Sequence, residues 1–339
     1  MHRLEQNWYR ISAPHLILWP LSLTFGAVAA ARRALYRAGA LKTLHLPVPV
    51  IIVGNITVGG TGKTPLVVCL AHFLRDRGHT PGIVSRGYMS NGGSACMPRQ
   101  VQPDSDPRTV GDEPLLLARR AGCPVWVGRR RSAAARALLA AHPDCSVIIS
   151  DDGLQHYALA RDVEIAVIDG ERGFGNGMLL PAGPLREPPE RLERTDAIVT
   201  NGAALFPHEE LPPAVPIFEM QLAGDIFYNL LNPEQQVGPE HFLQHHVHAI
   251  AGIGNPHRFF EHLRDLGVSF NAHPFSDHHA FTAEDLVFPS GNDAIIMTEK
   301  DAVKCERFGN ENCWVLRVDA EVESGLGELV LRKLKKSPH

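Results

Sequence analysis

The chain has 339 residues, a formal net charge of −4 and a pI near 6.5, a balance that argues against bulk electrostatic binding of nucleic acid. An apolar fraction of 44% with 21% charged residues excludes a disordered chain, and the length suits one large α/β domain or two unequal lobes. The six cysteines (Cys69, Cys96, Cys123, Cys145, Cys305, Cys313) form no C-x-x-C pair, which argues against a zinc ribbon or a redox motif and points to a reducing compartment.

The first informative segment is His15–Ala31, 17 residues without a charge, followed by Arg32, Arg33, Arg37 and Lys42. A helix of that length covers about 25 Å, short of a hydrocarbon core of roughly 30 Å. Pro20 is expected to disturb its first turns. No short basic start leads into the run, so it does not read as a cleaved signal peptide. Apolar residues lie on every side of it. Two readings remain: a helix of the core, or a membrane-inserted anchor with its arginines at anionic headgroups. Residues 1–45 are assigned to the second.

Residues 49–57 (PVIIVGNIT) form a β-branched apolar run, read as a buried strand. A glycine-rich loop follows, then helical spacing from Lys63 to about Arg77 that stops at Gly78. Further buried strands are expected at 81–85, 124–128, 145–150, 163–169 and 196–200, with helical segments such as 132–141 between them. Strands alternating with helices predict an α/β fold with a mostly parallel sheet covered on both faces. Residues 181–189 form a proline-rich loop. Residues 216–231 read as a hairpin turning at Ala223-Gly224-Asp225, a hinge into a second, smaller lobe. The α/β rhythm resumes at His248, with strands at 294–298 and 314–318. The expected division is therefore 1–45, a core at 46–215, a hairpin and hinge at 216–247, and a C-terminal α/β lobe at 248–339.

Gly59-Gly60-Thr61-Gly62-Lys63-Thr64 carries the strongest chemical signal. A strand, a glycine-rich turn and then G-K-T opening a helix is the architecture of a phosphate cradle, in which backbone N–H groups and the helix N-terminus hold an anion. Lys63 is placed to reach the β- and γ-phosphates of a nucleotide, and the Thr64 hydroxyl to ligate Mg²⁺. The strict pattern asks for glycine where this chain has Thr57; the glycines at 59 and 60 restore backbone freedom. The nucleotide loop is thus taken as Thr57, Val58, Gly59, Gly60, Thr61, Gly62, Lys63 and Thr64.

Asp151-Asp152 directly follows the strand at 145–150, where a P-loop fold places the carboxylate that holds the metal. In Gly111-Asp112-Glu113-Pro114, Asp112 suits either a base on an acceptor hydroxyl or a helix N-cap. In Ser276-Asp277-His278-His279, a metal pair or a histidine orienting a carboxylate are the alternatives. Gly252-Ile253-Gly254 is not a dinucleotide fingerprint, since His257 stands where the third glycine belongs. Arg129-Arg130-Arg131 reads as a solvated helix start, and His245, His246 and His248 as surface residues.

Taken together, GNITVGGTGKTP (54–65), SRGY (85–88), VGDEP (110–114), DDGLQH (151–156), LPAGPLREP (180–188), DHHAF (277–281) and TEKDAVK (298–304) resemble the tetraacyldisaccharide 4′-kinase family of lipid A synthesis. Thr57 in place of glycine is normal there. The resemblance implies a P-loop kinase that uses Mg-ATP to phosphorylate the 4′-hydroxyl of an acylated disaccharide 1-phosphate. The work would be done at the cytoplasmic face of the inner membrane, without nucleic acid. It implies Asp112 as base paired with His278, Lys63 on the transferred phosphate, and Thr64, Asp151 and Asp152 on the metal. Arg86, Tyr88, Arg186 and Glu187 match motifs that line the cleft. Two other classes compete: a membrane-associated NTPase switch, which needs no acceptor base, and a soluble small-molecule kinase or ligase. The order Thr298-Glu299-Lys300-Asp301 does not fit the N-K-x-D base-reading motif of GTPase switches.

Overall fold

In the computed structural model, which describes residues 8, 13–87, 97–289 and 293–336, the strands fall into two sheets. Helix α1 (Ala13–Arg37) comes first. Strand β1 (Val50–Gly54) is buried along its whole length, as its unbroken β-branched run demands of a strand covered on both faces. Helix α2 (Lys63–Asp76) ends in a Schellman motif: Gly78, at φ 83°, donates its N–H to Arg75 O, and His79 donates to Leu74 O. The chain continues through β2 (Pro81–Ser85), β3 (Arg99–Val101), the single turn α3 (Pro107–Val110), α4 (Asp112–Arg120), β4 (Val125–Val127) and α5 (Arg131–Ala141). Next come β5 (Val147–Asp151), β6 (Val163–Asp169), β7 (Ala197–Asn201) and β8 (Ile217–Ala223).

The second group comprises β9 (Phe227–Asn229), β10 (Gln236–Val237), β11 (Val247–Ala251), α6 (Pro256–Asp265), β12 (Asn271–Pro274), β13 (Ala294–Thr298), α7 (Glu299–Cys305) and β14 (Cys313–Leu316). The chain then returns to the first group with β15 (Asp319–Val322) and α8 (Gly325–Leu334).

Among the described residues, the first sheet has nine strands in the order β15-β8-β7-β6-β1-β5-β2-β4-β3, parallel except at the edges β3 and β15. The second has six, β10-β9-β14-β13-β11-β12, with a parallel run from β14 to β12. Alternate residues of β1 feed opposite cores: Ile51 and Val53 pack with Leu66, Leu70 and Leu115 of α2 and α4, while Val50 and Ile52 pack with Leu138 of α5. Each such fully buried aliphatic side chain contributes roughly 1.5–3 kcal/mol. Helix α7 touches both lobes, sending Val303 into the first core and Ala302 and Cys305 into the second.

The expected parallel α/β architecture with a smaller second lobe is present. The hairpin expected at 216–231 is not. β8 pairs with β7 and β15 in the first sheet, whereas β9 pairs with β14 and β10 in the second, so Gly224 marks a crossing between sheets. The lobe's hairpin is β9–β10.

Helix α1 runs unbroken through Pro20 and continues to Arg37. One side is docked: the Ser22 hydroxyl donates to Leu179 O and accepts from Ala182 N–H. Much of the rest of its circumference is apolar and open, with Ile17 79% and Val28 64% exposed and Trp19, Leu21, Leu23 and Leu35 also at the surface. That disposes of the core-helix reading. Among the described residues, no helix is long and apolar enough to cross a membrane.

Candidate active site

β1 lies between β5 and β6, and β2 lies beyond β5, so the loops leaving β1, β5 and β2 meet at one end of the sheet, where α/β folds place ligands. The loop leaving β1 opens α2 through Gly62, at φ 88°, with Gly59 at φ 108°; both angles favour glycine. Asn201, at the end of β7, donates its side-chain N–H to Thr61 O and fixes the loop from behind. Gly60 is exposed, so the loop is open to solvent.

The loop is shorter than expected from the sequence. Val58 N–H donates to Pro184 O, and Thr57 bridges to Leu185, so Thr57 and Val58 belong to a two-stranded contact with the proline-rich segment. The open backbone begins at Gly59. In compensation, a segment not assigned to the site packs on it. A Cβ at Gly254 would stand 2.2 Å from Gly60 N and 2.9 Å from Gly60 Cα. Arg172 donates to Gly254 O at 2.6 Å and holds that segment down. Gly254→Ala must therefore displace the cradle. We expect the KM for ATP to rise about tenfold, the cost of a modest overpacking, with the melting temperature little changed; an unaltered KM contradicts the contact.

The acidic pair faces this loop. Lys63 Nζ lies 3.6 Å from Asp152 Oδ1, and Arg186 Nη1 lies 2.9 Å from Asp152 Oδ2. Asp152 adopts the left-handed region at φ 48°, which turns its side chain away from that of Asp151. Burial pushes the Asp152 carboxyl up, but the charges of Lys63, Arg186 and Arg131 outweigh it and hold the group well below the usual range. Asp151 is only 1% exposed and accepts from Ser85 Oγ at 3.1 Å. Its burial, with the nearby charges of Glu113 and Asp152, raises its carboxyl to about 6. The two neighbouring carboxylates at the strand end offer the oxygen ligands that a hard divalent cation takes.

Beneath the pair lies a residue that sequence reasoning assigned to solvent. Arg131, 6% exposed, donates from Nε to Asp151 O at 3.1 Å and from Nη2 to Asp152 O at 2.8 Å. It satisfies the carbonyls of the strand end and fixes where both carboxylates point. Nothing in Arg129-Arg130-Arg131 distinguishes it, because its role depends on α5 packing against β5's neighbours. His248 was likewise assigned to the surface. It is buried, stacks on Phe288 and bonds His273 and Asp293 at the opposite end of β11.

Asp112 opens α4 and is 8% exposed. Its Oδ2 lies 3.1 Å from His278 Nδ1, a contact between the two lobes, while its Oδ1 accepts from Glu113 N–H. His278 occupies the left-handed region at φ 57°. His279 points elsewhere, to Asp285 at 3.2 Å. Burial raises the Asp112 carboxyl, but the His278 hydrogen bond and the charges of Lys300, His278 and Lys304 hold it well below the usual range. The same hydrogen bond raises His278 above the ordinary imidazole value.

Of the four cleft residues, Arg186 reaches Asp152, and Arg86 is exposed at the end of β2, close enough for its charge to act on Arg131 and His156. Tyr88 lies outside the described residues. Glu187 does not face the cleft. It is 2% exposed, and its oxygens accept from Arg33, Gln155 and Tyr157. It ties α1 to the core. Arg33, expected at anionic headgroups, is instead engaged by Glu187.

Known proteins resemble this chain over nearly its whole length. The family model described as tetraacyldisaccharide-1-P 4′-kinase (LpxK) matches residues 14–335. A tetraacyldisaccharide 4′-kinase of Methylobacillus flagellatus is 52% identical over 333 residues, covering 98% of this chain and 96% of the relative. One of Azoarcus sp. is 51% identical, covering 97% and 95%. The crystal structure of "apo" form LpxK from Aquifex aeolicus in complex with ATP superposes with a TM-score of 0.77 at 30% identity, over 94% of this chain and 99% of that one.

Proposed function

The chain belongs to the tetraacyldisaccharide-1-P 4′-kinase family, and from that premise we propose which of its groups carry the transfer and how it meets its lipid. It is an ATP-dependent kinase that phosphorylates the 4′-hydroxyl of a tetraacylated glucosamine disaccharide 1-phosphate in lipid A synthesis. The backbone of residues 59–64 takes the triphosphate, and the Lys63 ammonium lies against the transferred group. Asp112, aligned by His278, accepts the proton of the 4′-hydroxyl as its oxygen attacks the γ-phosphorus and ADP leaves. Thr64, Asp151 and Asp152 would hold Mg²⁺, which when bound neutralises phosphate charge. Arg186 keeps Asp152 in place, and Arg86 stands at the rim for the anionic acceptor.

The single observation that carries this reading is the 3.1 Å contact of Asp112 with His278. A switch or assembly ATPase has no use for a carboxylate and histidine brought together from separate lobes beside a phosphate loop. Phosphoryl transfer depends on positioning and charge rather than covalent help, and this arrangement provides both. The test is incubation with γ-labelled ATP and a lipid disaccharide 1-phosphate. The expected product carries the label as a second monoester at the 4′ position; label released only as inorganic phosphate overturns the assignment.

We place the protein at the cytoplasmic face of the inner membrane, with the open face of α1 in the lipid interface. A 25-residue helix is about 37 Å long, and its exposed row is Ile17, Leu21, Val28 and Leu35. Arg37 and Lys42, both exposed, are left for headgroups. The triple substitution Ile17→Glu, Leu21→Glu, Val28→Glu should lower partition onto anionic phospholipid vesicles by roughly 10²-fold or more, given the transfer energy of each side chain. Melting should be unaffected, since the three residues are exposed. Equal cosedimentation of the variant and the parent chain contradicts the placement.

A further inference from the structure

Lys300, in the first turn of α7, sits behind the Asp112–His278 pair. Its side chain is 14% exposed. Its ammonium lies 2.9 Å from Glu113 Oε1, 3.2 Å from Asp277 Oδ1 and 3.5 Å from His278 Nε2. Those acceptors come from α4 in the first lobe and from the loop before His278 in the second, so one cation joins the surroundings of both members of the pair. An ammonium only donates. The ring nitrogen facing it must therefore present its lone pair, which puts the imidazole proton on Nδ1, against Asp112 Oδ2.

The carboxylate of Asp277 gives this arrangement its importance. Its Oδ1 is 3.9 Å from His278 Nε2. With Lys300 present, that negative charge is compensated by the ammonium. Without it, His278 would lie between two carboxylates, Asp112 at Nδ1 and Asp277 at Nε2, and would take a second proton more readily. An imidazolium holds Asp112 as an ion pair and makes it a poorer acceptor of the hydroxyl proton.

Building on the base assignment above, we propose that Lys300 is a positioning residue of the transfer reaction: it fixes His278 as the neutral Nδ1–H tautomer, the form that aligns the Asp112 carboxylate through one donated hydrogen bond. Among the described residues, further charges near the pair include Glu113 on α4, and Lys304 and Asp301 on α7. Lys304 Nζ lies 4.0 Å from Asp112 Oδ2 and 2.7 Å from Asp301 Oδ1, so it is already engaged by another carboxylate. The direction of the pH effect follows. Lys300 lowers the His278 pKa, and its loss raises that pKa. Activity that requires neutral His278 is lost as pH falls through the pKa, so the acid limb moves to higher pH when Lys300 is removed.

The experiment compares the full chain with Lys300→Met and Lys300→Arg. Nitrogen-15 NMR of histidine-labelled protein, with the His278 signal assigned by its absence in His278→Gln, reports the tautomer directly and requires no turnover. The parent should keep the neutral Nδ1–H form to lower pH than Lys300→Met does, and Lys300→Arg should show the parent pattern. In kcat against pH, the acid limb of Lys300→Met should move to higher pH, and Lys300→Arg should restore it. If Lys300→Met keeps the neutral Nδ1–H form and an unmoved limb while kcat or the melting temperature falls, Lys300 is merely a structural tie and the proposal fails. Full turnover by Asp112→Asn would instead remove the base assignment and leave the NMR result standing, so the two failures are distinct.

Discussion

Replacing Lys63 with alanine should abolish phosphoryl transfer, with kcat reduced by about 10³-fold or more, the scale seen when a preorganised charge is removed from a transferring phosphate. Lys63 opens α2 at the point where the helix N-terminus and the loop amides converge, and its ammonium lies 3.6 Å from Asp152. The substitution removes a charge from the triphosphate site and one of the three cations that hold the Asp152 carboxyl ionised. Arg186 and Arg131 remain, so the acidic pair should keep its place and the protein its fold. The measurement is single-turnover transfer from ATP to the lipid acceptor at saturating concentrations of both, with thermal melting as the control. Near-normal turnover in a folded Lys63→Ala protein would refute the phosphate-cradle reading.

The second large effect is at Asp112. Asp112→Asn should lower kcat by about 10²–10⁴-fold, the usual worth of a positioned base, with the KM for ATP close to that of the parent. The separation is expected because Asp112 belongs to α4, while the loop we propose for the nucleotide belongs to the β1–α2 connection. Asparagine keeps the size of the side chain and one acceptor oxygen for His278. What is lost is the negative charge that takes the proton. A uniform fall in ATP affinity with kcat preserved would show Asp112 to be a helix-start residue that supports the loop.

The parts of this molecule legible in its sequence are those governed by local rules. β1, β2, β5, β6 and β13 announce themselves as short runs of Val and Ile, and the glycines after β1 allow the positive φ angles that the loop adopts. Asp151 and Asp152 were legible because they end a buried strand. The Asp112–His278 contact could not be inferred from spacing, since 166 residues separate its members and they come from different lobes; only family resemblance paired them. Arg131, Gly254 and Lys300 had no local signature, because each acquires its role when tertiary packing brings it against the loop, the acidic pair or His278.

The hairpin error has the same origin. Residues 216–231 are apolar on both sides of a glycine, as a hairpin would be. Which sheet each half joins is decided by β15 and β14, almost a hundred residues further on. Glu187 was misplaced because it adjoins Arg186 in a cleft-lining motif, yet a one-residue step turned it inward to Arg33 and Tyr157.

At the centre of the account is one spatial claim, that a triphosphate rests on the backbone of residues 59–64 and points its terminal phosphate between Asp151-Asp152 and Asp112. A crystal structure of the chain grown with Mg²⁺ and a non-hydrolysable ATP analogue tests it most directly. The γ-phosphate should lie within reach of Lys63 Nζ, with the ion ligated by the Thr64 hydroxyl and the acidic pair, and with Asp112 facing the side open to the acceptor. A triphosphate bound elsewhere, or one whose terminal phosphate points away from Asp112, contradicts it.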